Sequence, residues 1–150
     1  MSHSQASQLT DLLDRQIAAL EAVLEVLGLE NTALRDRDVA ALEQISNRKQ
    51  ERLADAATLE QHRRELAPDP DAMERLAENA AVAERWARLL DLTRVCRDQN
   101  EENGRVIRLQ QRRVENTLTL LRGSGGQPDL YGPDGGNPAR RSSRTPLTSV

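Results

Sequence analysis

The 150-residue sequence contains no phenylalanine, one tryptophan (Trp86), one tyrosine (Tyr131), one cysteine (Cys96) and two histidines (His3 and His62). Each scarcity excludes something. Without large rings, any core must be built from Leu, Val, Ile and Ala, and such aliphatic seams suit helix bundles better than sandwiches. A lone cysteine excludes an intrachain disulfide and gives no sign of an oxidising compartment. Cys96 is read simply as a small apolar residue on a helix. A metal site needs three or four ligands from Cys, His or carboxylates. The only nearby ligand-like spacing is His62-Arg-Arg-Glu65, which does not supply them, so no metal and no cofactor is expected.

Long apolar runs are also missing. No stretch of about 18 apolar residues is present, which argues against membrane insertion. The start, Met1-Ser-His-Ser-Gln5, lacks the basic and apolar regions of a secretory signal. A cytoplasmic protein is the expectation. No strand pattern with a Gly-rich loop exists, so nucleotide-binding fingerprints are absent and no catalytic residue is proposed. The net charge of −3 hides a split. Residues 1 to 122 carry 18 Lys and Arg against 22 Asp and Glu, while 123 to 150 carry three Arg against two Asp. An acidic body is a poor electrostatic match to nucleic acid, whose partners are basic.

What is abundant is Leu, Ala, Arg, Glu and Gln, all good helix formers. From Leu9 the apolar residues run Leu13, Ile17, Leu20, Leu24, Leu27 and Leu34 in steps of three and four with one gap at Asn31, the seam along which a helix buries itself. This predicts a helix over about 7–35. Arg35-Asp-Arg-Asp38 interrupts the pattern, and Asp38 is placed to cap a second helix over about 38–66. Its stripe is Leu42, Ile45, Lys49, Leu53, Ala56, Leu59, Arg63 and Leu66, and Ala67-Pro-Asp-Pro70 ends it. Two such helices joined by a short connection form an antiparallel hairpin. Asp71, with Glu74 three residues on, is expected to cap a third segment over about 71–121. That segment is much longer than its partners, so it either breaks, near Glu78–Ala81 or at Gly104, or projects. The fold class is therefore all-α: an antiparallel helical hairpin plus a long third helical segment in a coiled-coil-like bundle, residues 1–122.

Residues 123–150 hold six of the eight glycines and four of the six prolines. They are expected to form a flexible tail, because they cannot bury enough apolar surface to offset ordering. Leu130-Tyr131 is the one apolar pair in it.

Several residues break the seam rule. Lys49, the sole lysine, is read as laying its methylenes on the core and lifting its ammonium to water, with a specific buried partner as the alternative. Asn100 and Asn103 occupy seam positions, where polar residues cost stability and fix register. The alternative for them is an opening where a partner's backbone approaches, and Gly104 points the same way, since glycine inside a helix is unfavourable unless close contact or a bend requires it. Trp86 is read as core filler.

The sequence also resembles the FlgN family of flagellar type III export chaperones. The matching residues are Leu29-Glu30, Ala33-Leu34, Arg37-Asp38, Leu42, Ile45 and Lys49; then Asn100-Glu-Glu-Asn103-Gly104 with Ile107; then Leu130-Tyr131-Gly132-Pro-Asp134-Gly135. The resemblance implies a cytoplasmic, non-enzymatic chaperone. Its partners would be unassembled hook-associated (hook–filament junction) subunits and the cytosolic domain of the export gate. It implies cargo binding on the late helix, where the spacing of Ile107, Val114, Leu118 and Leu121 offers helix-in-groove anchors, and where Asn100, Asn103 and Gly104 either contact cargo or only shape the bundle. It implies gate docking through Leu130, Tyr131, Gly132, Asp134 and Gly135. A homodimer is compatible with the same seam. A self-associating scaffold or a regulatory binder of flagellar gene control is the alternative reading.

Overall fold

The computed structural model describes residues 2–124. Four helices follow in order: α1 (Ser2–Asp36), α2 (Val39–Leu66), α3 (Pro70–Leu76) and α4 (Ala80–Ser124). No strand occurs among the described residues. Residues up to Ile107 form one compact unit, and those from Arg108 onward belong to a second, described separately below.

In the first unit, cross-helix bonds fix the directions. Gln16 of α1 meets Glu60 of α2, and Glu30 meets Lys49, so the two helices run antiparallel. Asp14, Leu20 and Leu27 of α1 meet Arg85, Cys96 and Asn103 of α4, so α1 and α4 run parallel. The first helix starts earlier than its leucine stripe alone suggests. The reason is that Ala6 joins Leu9, Leu13, Ala67, Met73, Val82 and Leu89 in the largest buried cluster. Smaller clusters follow along α1: Val23 and Leu27 with Cys96, then Val26 and Ala33 with Ile45. Every side chain in these clusters is aliphatic or sulfur-bearing, with Trp86 packed against the first.

The turns are set by side-chain caps. The α1–α2 connection reverses the chain through Arg37 at φ 56°, in the left-handed region. Asp38 N–H donates to Ala33 O (3.0 Å) and Arg37 N–H to Leu34 O (3.2 Å), the paired bonds of a Schellman ending. Asp38 Oδ1 then accepts from Ala41 N–H at 3.0 Å and starts α2, the role its position predicts. At α3 the cap is Asp69, not Asp71: Asp69 Oδ1 accepts from Ala72 N–H at 2.8 Å. Pro70 explains the shift, because its fixed φ and missing N–H suit the first helical position and place the cap one residue before it.

The chain breaks between α3 and α4 at Ala77–Asn79. Asn79 Oδ1 accepts from Ala81 N–H (2.9 Å) and Val82 N–H (3.3 Å), occupying free donors of the new helix. Gly104, the other candidate break, lies inside α4.

Arg37 carries the one positive φ of a non-glycine residue among the described residues. An L side chain is disfavoured there, so Arg37→Gly is expected to stabilise the protein by about 0.5–1 kcal/mol. A rise in the urea midpoint at unchanged m-value is the measurement that checks it; a fall would mean that the arginine side chain outweighs its backbone strain.

Candidate functional site

The seam of the first unit is interrupted near the end of α1 by a polar junction. Asn103 lies at its centre with 1% of its surface exposed. Its amide Nδ2 donates to Leu27 O at 2.9 Å and to Glu30 Oε1 at 2.8 Å. Its Oδ1 accepts from Asn31 Nδ2 at 2.9 Å and from Gln99 Nε2 at 3.0 Å. All four hydrogen-bonding valences are thus used inside the bundle. Lys49 Nζ reaches Glu30 at 3.1 and 3.3 Å and donates to Asn100 Oδ1 at 2.8 Å. The simple reading of Lys49 as a side chain rising to water is therefore corrected: it holds a mostly buried carboxylate on α1 and an amide on α4 from its place on α2.

The junction brings together Lys49, Asn100 and Asn103, which the sequence singles out. It also recruits Glu30, Asn31 and Gln99, which sequence reasoning did not place in it. The signal available was positional: Asn31 fills the gap in the α1 stripe, and Glu30 and Gln99 lie within one helical turn of a seam residue. Asn103 faces inward and offers no surface while the helices remain packed; Asn100 is exposed, Gly104 half-buried, and Ile107 37% exposed.

A second polar arrangement joins the middle of α1 to the end of α2. Glu60 accepts from Arg63 at 2.8 and 3.0 Å, from Arg64 at 3.1 Å and from Gln16 at 3.0 Å. The Arg63 hydrogen bonds, supported by those from Gln16 and Arg64 and opposed by burial, hold the Glu60 carboxyl down at about 2. The Arg63 guanidinium also lies 5.0 Å from the centroid of the Trp86 ring, a cation–π distance. Trp86 and Glu60 border a groove of about 390 Å³ between α2 and α4, with Leu53, Leu89 and Leu90 on its walls. Cys96 is buried with Sγ 3.5 Å from Leu20 O, and burial pushes its thiol above the ordinary value.

The second unit, from Arg108, presents Val114, Leu118 and Leu121 at 60, 44 and 64% exposure on the late part of α4. Leu109 and Leu120 are exposed as well, though they fall off the predicted stripe. Leu130, Tyr131, Gly132, Asp134 and Gly135 lie outside the described residues. Among the described residues no group of three His, Cys, Asp or Glu side chains could hold a metal ion, and no helix is long and apolar enough to cross a membrane.

Together these features define an aliphatic, all-helical bundle locked by a polar junction, with apolar surface left exposed on its last helix. Comparison with known proteins places it more narrowly. The family model described as FlgN protein matches residues 1–139, and the chain belongs to the FlgN family. It is 30% identical over 134 residues to a Salmonella typhimurium protein named flagella synthesis protein FlgN, covering 86% of this chain and 89% of the relative. A Yersinia enterocolitica protein of the same name is 34% identical over 127 residues, covering 82% and 84%. No solved structure matches the chain.

Two measurements probe the polar groups. Asn103→Ala strips partners from a buried carbonyl, a carboxylate and two amides, and should cost about 2–3 kcal/mol in denaturant unfolding; a loss under about 0.5 kcal/mol would mean that the junction is dispensable. The Glu60 carboxyl is depressed below its ordinary 4.5, so its contribution is fully present above that pH and is lost as pH falls toward about 2. Wild type should accordingly exceed Glu60→Gln in stability at pH 7, and the gap should close between pH 4.5 and 2; a gap independent of pH would contradict the ion pairing.

Proposed function

We propose that the protein is a cytoplasmic, non-enzymatic export chaperone of the bacterial flagellum. It binds unassembled hook-associated subunits, keeps them from assembling early and delivers them to the type III export gate. The observation that carries this reading is the exposed apolar stripe of α4, at Val114, Leu118 and Leu121, in a chain of the FlgN family. Apolar side chains at i, i+4 and i+7 are the anchors of helix-in-groove recognition, and covering a subunit's own assembly helix would suppress its premature self-association.

In this reading Ile107, Val114, Leu118 and Leu121 touch cargo. Asn100 and Gly104 border the contact, and Asn103 acts from within by holding α4 against α1. Tyr131, in its Leu130-Tyr131-Gly132-Pro-Asp134-Gly135 setting, docks on the export gate. A single aromatic on a tether works as a small hot spot, kept near its target while the body holds cargo.

Co-expression with hook-associated subunits from the same cell should give a soluble complex that survives purification, and Leu118→Glu should abolish it. Failure to capture any such subunit would overturn the proposal. Tyr131→Ala should leave that complex intact while weakening export-gate binding and motility; loss of cargo by this one change would show that the two roles are not divided in this way.

A further inference from the structure

The charges around the exposed stripe are distributed unlike those of the rest of the chain. From Arg108 to Arg122 there are four arginines (Arg108, Arg112, Arg113 and Arg122) and a single acid, Glu115. Residues 1–107 carry 14 Lys and Arg against 21 Asp and Glu, a net of −7. The preceding stretch of the same helix, residues 80–107, is balanced, with five acids against five arginines. Elsewhere on the described chain several arginines are held in ion pairs: Arg63 and Arg64 with Glu60, Arg85 with Asp14, Arg105 with Glu102. Among the described residues no ion pair holds Arg108, Arg112 or Arg113. At about 100° per residue, Arg108 and Arg113 fall on opposite sides of the line through Val114, Leu118 and Leu121, each about 110° from it, with Glu115 on the Arg108 side and Arg112 further round the back.

We infer that the arginines Arg108 and Arg113, aided by Arg112, are specificity-determining residues of this surface, and that they select an amphipathic helix whose apolar stripe is flanked by acidic side chains. The inference rests on the cargo-binding reading above and adds the chemical class of segment that is accepted. Charges flanking a helical seam set partner choice more than they set raw affinity.

A second copy of this chain fits poorly. In an antiparallel self-pair centred on Glu115, Arg108 would face Arg122, and in a parallel pair every arginine would face its own copy. An anionic membrane fits less well than a helix, because the stripe is narrow and the segment contains no Trp or Phe of the kind that anchors interfacial helices.

The test uses the full-length protein and two synthetic helical peptides that share one leucine stripe and differ only in having Glu or Lys on both shoulders. The Glu peptide should bind about tenfold more tightly at low salt, the product of two or three exposed pairs, and the preference should shrink in 0.5 M salt. Arg108→Glu/Arg113→Glu should reverse it, and Arg108→Gln/Arg113→Gln should erase it, with helical circular dichroism unchanged in both. Equal binding of the two peptides, tighter binding to phosphatidylglycerol vesicles than to either, or a homodimer dissolved by Arg113→Glu would each overturn the inference. Capture of hook-associated subunits separates it from its parent reading. If wild type captures a subunit and the charge-reversed variant captures it equally, only the charge rule falls; if peptides are discriminated but no subunit is captured, the chaperone reading falls and the charge rule stands.

Discussion

The hydrogen bonds around Asn103 are the constraint on which the rest of the first unit depends. A bundle built from leucine, valine, isoleucine and alanine has a weakly specified register, because one aliphatic side chain fits a seam about as well as the next. A buried amide does not slide. Asn103 is satisfied only where Leu27 O, Glu30, Asn31 and Gln99 surround it, and Lys49 is satisfied only between Glu30 and Asn100. Shifting α4 by one turn would orphan several buried groups at once, each at a cost comparable to a lost hydrogen bond. The junction thus fixes three helices against one another with polar groups that add specificity where shape adds little.

Much of this was legible in the residues, and the reasons differ element by element. The α1 and α2 stripes, the Asp38 cap and the stop at Pro68 follow from local rules whose partners lie within a few positions of each other. The Asp69 cap was missed in favour of Asp71 because both are followed by residues that can accept a helix start, and the decision falls to Pro70. The partners of Asn103 were not legible for another reason. Glu30 and Gln99 sit among many charged and amide residues of the same helices, and only the register between distant helices reveals which of them meet. Lys49 was read by its average habit, and the buried carboxylate that changes its role lies 19 residues away on α1. On the late part of α4 the stripe at Val114, Leu118 and Leu121 was read from spacing alone, whereas Leu109 and Leu120 lie off the seam and only their exposure brings them to notice.

The two units use opposite chemistries. The first turns its polar seam residues inward and neutralises most of its arginines with nearby carboxylates. The second keeps leucines and arginines outward, which leaves apolar surface in contact with water.

The scarcity of rings has a practical consequence. Trp86 is the sole indole, and it sits beside Arg63 at the mouth of the groove between α2 and α4. Its emission therefore reports on how closely those two helices are held, with no second tryptophan to dilute the signal. The molecule carries its own spectroscopic probe of the body, one that distinguishes loosening of the bundle from events confined to the late helix.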